Sequence, residues 1–153
     1  MAVELPQVLV TLADISDTAL DYTTQNAMML GVNDRIENVK WDALTEPPQE
    51  WLGRFDLIVA NPPYIPVADV PNLHPDVRDG EPREALTDGG DGLSFYRRWA
   101  ETLPKIMKPE GRLLVEVGDG ATDRVGMILR DSFKEIGQYK DLGETVRAIE
   151  FER

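Results

Sequence analysis

Residues 55–64 read Phe-Asp-Leu-Ile-Val-Ala-Asn-Pro-Pro-Tyr, and no other stretch says as much about the fold. The segment from Phe55 to Ala60 is a short apolar run, which is typical of a buried strand in a parallel sheet. Asn61-Pro62-Pro63-Tyr64 then places a side-chain amide, a rigid carbonyl and a flat ring directly after this strand. Open α/β sheets bind ligands at the carboxyl ends of their strands, so the sequence predicts a binding site here. Paired prolines could instead form only a stiff exit turn.

The rest of the chain alternates strand and helix patterns. Further strands are predicted at residues 8–13, 36–39 and 112–117. A helix is predicted at residues 17–30, with Ser16 as its N-cap and Gly31 closing it. Helical spacing of apolar residues also covers 93–103, where Pro104 is expected to end or kink the helix, and a third helix is expected to end near Gly137.

The remaining segments complete the expected fold. Residues 62–91 are expected to be irregular, and stretches of this length are uncommon unless they serve as lids or binding loops. Residues 139–142 and 146–151 are predicted to form a hairpin around Gly143. The alternation of strands and helices predicts an α/β fold with a mostly parallel sheet, helices on both faces and an antiparallel C-terminal hairpin. The length of 153 residues predicts one domain over 1–153.

Composition excludes several classes of site. The chain has no cysteine, so it has neither disulfides nor thiolate metal sites, which is compatible with the cytoplasm. His74 is the only histidine and lies in a Pro-rich stretch, so we predict no metal site and a surface position for it. The first residues show no secretory signal, and no apolar run is long enough to span a membrane. The net charge of −12 disfavours binding of a nucleic-acid backbone over the whole surface.

The segment after the predicted strand has the groups needed to hold a planar NH2 group. The Asn61 side-chain oxygen and the Pro62 carbonyl could accept its two N–H groups, and the fixed φ of proline would hold the direction of that carbonyl. Tyr64 could lie against the flat face of the bound group. Such positioning would direct the nitrogen at an electrophilic methyl group without a general base or a metal. Asn61, Pro62 and Tyr64 are therefore our candidate catalytic residues.

Four other places in the sequence allow a functional and a structural interpretation. Asp14 follows the first predicted strand, where a carboxylate can bind both hydroxyls of a ribose, although an aspartate there can equally close a turn. Asp42 follows the next strand and could meet the adenine end of the same ligand. Gly118-Asp119-Gly120 is interpreted as a tight strand-to-helix turn, because the third glycine of the dinucleotide-binding pattern is absent. Asp88 to Gly92 is interpreted as a flexible turn and helix start.

Residues 55–65 resemble the core of the HemK/PrmC family, the glutamine-N5 methyltransferases that modify peptide chain release factors. The resemblance continues through residues 76–78, 81–82, 85–86, 90–97 and 114–118, and then to residues 140–142 and Arg147. It covers nearly the whole chain from Val8 onward. The Asn-Pro-Pro-Tyr motif alone is shared with adenine-N6 methyltransferases, and the later segments narrow the match to the glutamine enzymes.

The resemblance implies a class I Rossmann-like methyltransferase that uses S-adenosylmethionine. The implied substrate is the glutamine of the Gly-Gly-Gln loop in release factors. By motif position, Asn61, Pro62 and Tyr64 would hold the glutamine amide, and Pro63 belongs to the same substrate-binding segment.

The implied cofactor residues lie mainly elsewhere in the chain. Asp14 matches the ribose-binding acid of the family, and Asp42 with its neighbour Ala43 matches the adenine side. Asn61 would also adjoin the cofactor.

The chain departs from the family pattern before Val8. The glycine-rich cofactor loop and the N-terminal substrate-recognition domain of the family have no counterpart in it, so we expect a partial catalytic domain with impaired cofactor binding. The absent first strand lies centrally in the family sheet, between the strands that end at Asp14 and Ala60. Its absence is expected to leave two rows of unpaired backbone groups, which pairing of two copies into a homodimer could cover.

Three functions remain open from the sequence. The first is glutamine methylation of release factors, which are then the protein partner. The second is methylation of a nucleic-acid base or of another protein, and the acidic charge makes nucleic acid the less favoured substrate. The third is a non-catalytic fragment that acts only through protein association.

Overall fold

The computed structural model describes residues 1–153, which form six strands and five α-helices. The strands are β1 (Val10–Asp14), β2 (Ile36–Lys40), β3 (Phe55–Ala60), β4 (Met107–Glu116), β5 (Lys134–Lys140) and β6 (Val146–Glu152). The helices are α1 (Asp17–Met29), α2 (Pro75–Arg78), α3 (Arg83–Leu86), α4 (Ser94–Ile106) and α5 (Thr122–Leu129). Short 3-10 turns lie at Asn33–Arg35, Gln49–Trp51 and Val70–Asn72. None of the helices combines the length and apolar character that crossing a membrane requires.

The chain forms two compact units, residues 1–45 and residues 46–153, which we call the N-terminal unit and the C-terminal unit. The N-terminal unit holds a two-stranded parallel sheet of β1 and β2, in register from Val10 opposite Ile36 to Asp14 opposite Lys40. Its small apolar core consists of Ala2, Ala27 and Val32, against which Val10 and Ile36 pack.

Helix α1 begins at the predicted residue and ends one residue before the predicted end, at Met29. The Ser16 hydroxyl accepts a hydrogen bond from the Ala19 N–H at 3.3 Å, which caps the first turn. Gly31 follows the last turn with φ of 65°, a left-handed conformation that glycine adopts without steric cost. The predicted N-cap and closing glycine are therefore confirmed.

The C-terminal unit holds a four-stranded mixed sheet in the order β3-β4-β6-β5. Strands β3 and β4 are parallel, while β6 runs antiparallel to both β4 and β5. The core of this unit is formed by fully buried side chains of β4, β6, α4 and α5, namely Leu113, Val115, Ile149, Phe151, Tyr96, Val125 and Leu129. The predicted C-terminal hairpin is confirmed, and two of the three strand pairings in this sheet are antiparallel, so the sheet is more mixed than the sequence suggested.

Two local predictions were wrong, and a third was wrong in part. The third helix was expected to end near Gly137, but α5 ends at Leu129 and Gly137 lies inside β5. Phe133 continues the helical spacing of apolar residues, yet it packs against Phe151 of β6 with ring centroids 6.2 Å apart. The irregular segment 62–91 contains α2 and α3. Helix α4 continues two residues past Pro104, so Pro104 does not end it, and a kink at Pro104 stays a prediction.

Strands β1 and β3 are each at the edge of their own sheet. β1 pairs only with β2 and β3 pairs only with β4, so one backbone edge of β1 and one of β3 is unpaired. On β3, Leu57 and Val59 are 45% and 55% exposed, unlike the side chains of a strand buried between two neighbours. The rows of unpaired backbone groups that the sequence predicts on these two strands are therefore present.

Candidate functional site

The NPPY segment (residues 61–64) follows β3 directly, at the carboxyl end of the parallel pair β3–β4. Asn61 is exposed, Pro62 is buried, and Pro63 and Tyr64 are half-buried. The Asn61 amide is in no hydrogen bond with another side chain of the chain, so both its oxygen and its nitrogen are free to meet a ligand. The segment thus lies at the sheet edge where parallel strands bind ligands, as the sequence predicts.

A cavity of about 170 Å³ opens beside the NPPY segment. Its walls come from that segment and from the stretch containing α2 and α3: Asn61, Pro62, Tyr64, Ile65, Val77, Glu81, Ala85 and Leu86. Drug-sized ligand pockets measure about 300–1,000 Å³, so this cavity is of a size for one side chain and not for a whole cofactor. Glu81 is its only charged wall residue.

Tyr64 is oriented by a contact that its sequence neighbours do not reveal. Its hydroxyl donates a hydrogen bond to Glu116 Oε1 at 2.9 Å, at the end of β4. Partial burial and this bond to a carboxylate raise the pKa of the Tyr64 phenol, so it stays protonated at neutral pH. Tyr64 is therefore a neutral ring and a hydrogen-bond donor at this site, not a base.

Main-chain contacts fix the path of the chain on both sides of Tyr64. Tyr64 forms an isolated antiparallel bridge with Thr87, and the Ile65 N–H donates to the Leu86 carbonyl at 3.0 Å. Gly92, with φ of 78°, lies so close that an added Cβ would be 2.1 Å from the Tyr64 carbonyl oxygen. Only glycine combines this backbone conformation with this approach.

Asp88 organises the turn that leads into α4. Its Oδ1 accepts from the N–H groups of Gly90 at 2.8 Å and Gly92 at 3.0 Å, and its Oδ2 accepts from Ser94 at 2.9 Å. Burial opposes the charge on Asp88, but the hydrogen bonds from Ser94, Gly90 and Gly92 outweigh it, and the pKa of Asp88 is lowered. The predicted helix start is confirmed, while the role of Asp88 was missed. An aspartate six residues before the first helical residue was the signal in the sequence.

The acidic residues predicted to bind cofactor lie in the N-terminal unit. Asp14 ends β1 and is exposed, while Asp42 and Ala43 follow β2 and are half-buried. Because β1 and β2 are parallel neighbours, the structure places Asp14 and Asp42 at the same edge of their sheet.

Both carboxylates close local turns through one oxygen. Asp14 Oδ1 accepts from the Ser16 N–H at 2.8 Å, and Asp42 Oδ1 accepts from the Leu44 N–H at 2.9 Å. The turn-closing alternative therefore holds for Asp14, and Asp42 makes the same kind of contact in the loop after β2. The second oxygen of each carboxylate is left to accept hydrogen bonds from hydroxyl groups of a ligand.

A larger cavity of about 480 Å³ lies apart from the NPPY segment and is lined by residues of α5 and β5, among them Asp123 and Glu135, and by Arg130 directly after α5. No group of three His, Asp or Glu side chains is arranged to hold a metal ion. Gly118 to Gly120 forms the turn between β4 and α5, as predicted.

Several solved structures with this fold are named methyltransferases. A methyltransferase from Pyrococcus furiosus superposes with a TM-score of 0.63 at 17% identity, over 99% of this chain and 66% of that one. The N-methyltransferase NodS from Bradyrhizobium japonicum, in complex with S-adenosyl-L-homocysteine, superposes with a TM-score of 0.57 at 18% identity, over 95% of this chain and 66% of that one. TrmN from Thermus thermophilus gives a TM-score of 0.68 at 17% identity, over 99% of this chain and 39% of that one. The chain has the class I methyltransferase fold.

Sequence relatives are more specific than the fold about the family to which the chain is similar. The release factor glutamine methyltransferase of Clostridium acetobutylicum is 38% identical over 138 residues, 90% of this chain and 48% of that protein. Its counterparts in Geobacter sulfurreducens and Bacillus subtilis are 42% and 37% identical, over 87% and 97% of this chain. No protein-family model matches the sequence.

The chain is therefore homologous to the release factor glutamine methyltransferases, the HemK/PrmC family, and the resemblance predicted from the NPPY segment is confirmed. It spans about half the length of the curated relatives it matches.

Proposed function

We propose that this chain carries the amide-binding part of a protein-glutamine methyltransferase whose substrate is the Gly-Gly-Gln glutamine of peptide chain release factors. The observation that carries the proposal is the cavity beside Asn61, Pro62 and Tyr64, at the end of β3, in a chain homologous to release factor glutamine methyltransferases. The cavity has the size of one side chain, and its polar atoms suit an uncharged amide.

The residues of the NPPY segment would position the amide. Asn61 Oδ1 and the Pro62 carbonyl accept the two N–H groups of the glutamine amide, which turns the nitrogen lone pair away from both acceptors. The neutral Tyr64 ring lies along the flat face of the amide. Glu81, at the wall of the cavity, disfavours entry of a glutamate carboxylate, which carries the same charge.

S-adenosylmethionine, when bound, supplies the electrophilic methyl group. In the N-terminal unit the free oxygens of Asp14 and Asp42 fit this cofactor, because carboxylates are the usual acceptors for ribose hydroxyls at the ends of parallel strands. We assign Asp14 to the ribose and Asp42 with Ala43 to the adenine side. Asn61 is assigned to both substrate and cofactor.

Asn61→Ala tests the amide assignment. Binding of a Gly-Gly-Gln peptide to the 153-residue chain is measured by calorimetry or by NMR shift changes, next to methyl transfer from labelled S-adenosylmethionine to a release factor. We expect Asn61→Ala to weaken peptide binding about tenfold, since one of the two amide N–H groups loses its acceptor. The control is Asn72→Ala, an exposed asparagine of the 3-10 turn Val70–Asn72 outside the cavity. Equal peptide affinity in Asn61→Ala and the parent chain would remove the assignment.

Parallel assays separate the other functions. DNA and RNA substrates replace the release factor in the same reaction, and methylation of either in preference to the release factor would favour a nucleic-acid enzyme. Calorimetric titration with S-adenosylmethionine, with the oligomeric state measured in the same sample, compares the parent chain with Asp14→Asn. Cofactor binding that depends on Asp14 supports an enzyme. A folded chain without cofactor binding supports a protein-association role, and a dimer would support pairing of two copies.

A further inference from the structure

We infer that Glu116, at the end of β4, is a positioning residue for Tyr64 and sets the orientation of the aromatic wall of the amide cavity. The effect of Glu116 on substrate binding rests on the proposed function. The positioning of Tyr64 itself is argued from the contacts of that side chain. Neither the NPPY motif nor any pattern around residue 116 assigns this role.

Contacts at its hydroxyl and at one ring edge fix the side chain of Tyr64. Its hydroxyl donates to Glu116 Oε1 at 2.9 Å, and its inner edge lies over Gly118, where an added Cβ would be 3.0 Å from Tyr64 Cδ2. A side chain at 118 would push the ring by a few tenths of an ångström or more. The Glu116 carboxylate therefore binds the Tyr64 hydroxyl at the end of β4, and Gly118 leaves the space that the Tyr64 ring occupies.

Glu116 is itself immobilised by its neighbours in the C-terminal unit. Its backbone pairs with Ala148 of β6, and its carbonyl accepts a hydrogen bond from the Tyr96 hydroxyl of α4 at 2.7 Å. Tyr96 is fully buried. The anchor of the cavity wall thus lies on the rigid core of the unit, where supporting contacts fix a functional side chain best.

A carboxylate is suited to this task because Tyr64 is a hydrogen-bond donor only while it is protonated. Burial, the Glu116 bond and the negative charges of Glu116 and Glu81 raise the pKa of Tyr64, and Arg147 opposes them in part. The phenol therefore remains neutral and bonded throughout the physiological range. An ordered ring spares the cost of immobilising a side chain when a substrate enters.

The test follows Tyr64 directly in the 153-residue chain. Ring-carbon labelling of the four tyrosines, with Tyr64 assigned through Tyr64→Phe, gives the Tyr64 phenol pKa and its ring-flip rate by NMR. We expect Glu116→Gln to lower the pKa of Tyr64 and to keep the ring ordered, because the amide oxygen still accepts. Glu116→Leu should lower this pKa and speed up ring flipping. The affinity for a Gly-Gly-Gln peptide should fall about two- to tenfold in the leucine variant and recover in the glutamine variant.

The matched control is Glu150→Gln, which removes the charge from another tyrosine–glutamate pair of the same sheet, Glu150 with Tyr139. This variant should change the titration of Tyr139 and leave Tyr64 and the peptide affinity as they are. An unchanged Tyr64 titration and ring-flip rate in both Glu116 variants would overturn the positioning role. If the parent chain binds no peptide, the proposed function fails, while the Tyr64 measurements still decide the role of Glu116. If Tyr64 responds but peptide binding does not, Glu116 orders the ring without serving the cavity, and the inference is refuted.

Discussion

Replacing Asp88 by asparagine tests how the entry to α4 supports the NPPY segment. The substitution conserves shape but leaves one acceptor oxygen where the parent chain has two. In the best orientation the asparagine oxygen still accepts from Gly90 and Gly92. Its NH2 group then faces the Ser94 N–H, so that a donor meets a donor in place of a 2.9 Å hydrogen bond.

The expected loss of unfolding free energy follows from the three hydrogen bonds that Asp88 accepts from Gly90, Gly92 and Ser94. A hydrogen bond to a charged group contributes about 1.5–3 kcal/mol, and a bond between neutral groups about 0.5–1.5 kcal/mol. Asp88→Asn loses the bond to Ser94 and converts the other two to neutral ones, and water screens part of the effect because Asp88 is only half-buried. We expect the free energy of unfolding of the C-terminal unit to fall by about 2–3 kcal/mol. With a urea dependence of about 1–3 kcal/mol per molar, the midpoint should drop by about 1–2 M.

Urea unfolding monitored by tryptophan fluorescence measures the change. Trp51 and Trp99 lie in the C-terminal unit and Trp41 in the N-terminal one, so a Trp41→Phe background restricts the signal to the unit of interest. The control is Asp79→Asn, whose carboxylate pairs with the adjacent Arg78 on the exposed surface, and its midpoint should match the parent chain.

The pH dependence of the unfolding free energy provides a second test of the hydrogen bonds to Asp88. Its folded pKa is lowered from the usual 3.8, so its contribution is present above about pH 4 and is lost as the pH falls through the lower folded value. Asp88→Asn should remove this part of the acid sensitivity. A midpoint within 0.3 M of the parent, roughly the scatter of such fits, together with unchanged acid sensitivity would refute the reasoning.

Three further outcomes are expected. Gly92→Ala should destabilise the C-terminal unit by about 3 kcal/mol, since the added Cβ would be 2.1 Å from a main-chain oxygen of the NPPY segment. Gly89→Ala, where φ is similar but the space is open, should destabilise it by only about 1–2 kcal/mol. Thermal unfolding measures both losses. Arg97 and a backbone N–H lower the pKa of Asp91 to about 2, so an NMR titration should show this carboxyl ionised down to below pH 3 and shifted back towards 3.8 in Arg97→Leu. An unshifted Asp91 titration in that variant would refute the pairing. Tyr96→Phe should lose about 1–2 kcal/mol in urea unfolding, because a main-chain carbonyl at the end of β4 loses its buried donor, and a neutral result would mean that water replaces it.

The local elements were well determined by the sequence. The bounds of β3, the N-cap of α1 and the glycine that closes it follow from apolar runs and capping chemistry, which involve residues within a few positions of one another. The NPPY segment indicated methylation of an NH2 group for the same reason, because its chemistry is contained in four consecutive residues, and the segments after it narrowed the match to the family. Periodicity failed at Phe133, where an aromatic contact to β6 decides between helix and strand.

Non-local contacts account for what the sequence left undetermined. Glu116 lies 52 positions from Tyr64, and the two meet only because β3 and β4 are parallel neighbours whose carboxyl ends share one edge. The walls that α2 and α3 give to the cavity likewise depend on how residues 62–91 fold back along Tyr64. The sequence alone determined the chemical groups that our proposal assigns to an amide and the strand that precedes them. Tertiary structure decided that the Glu116 carboxylate contacts the Tyr64 hydroxyl and how large the cavity is. Hydrogen bonds between distant segments produce no periodic pattern in the sequence, so the sequence could not predict them.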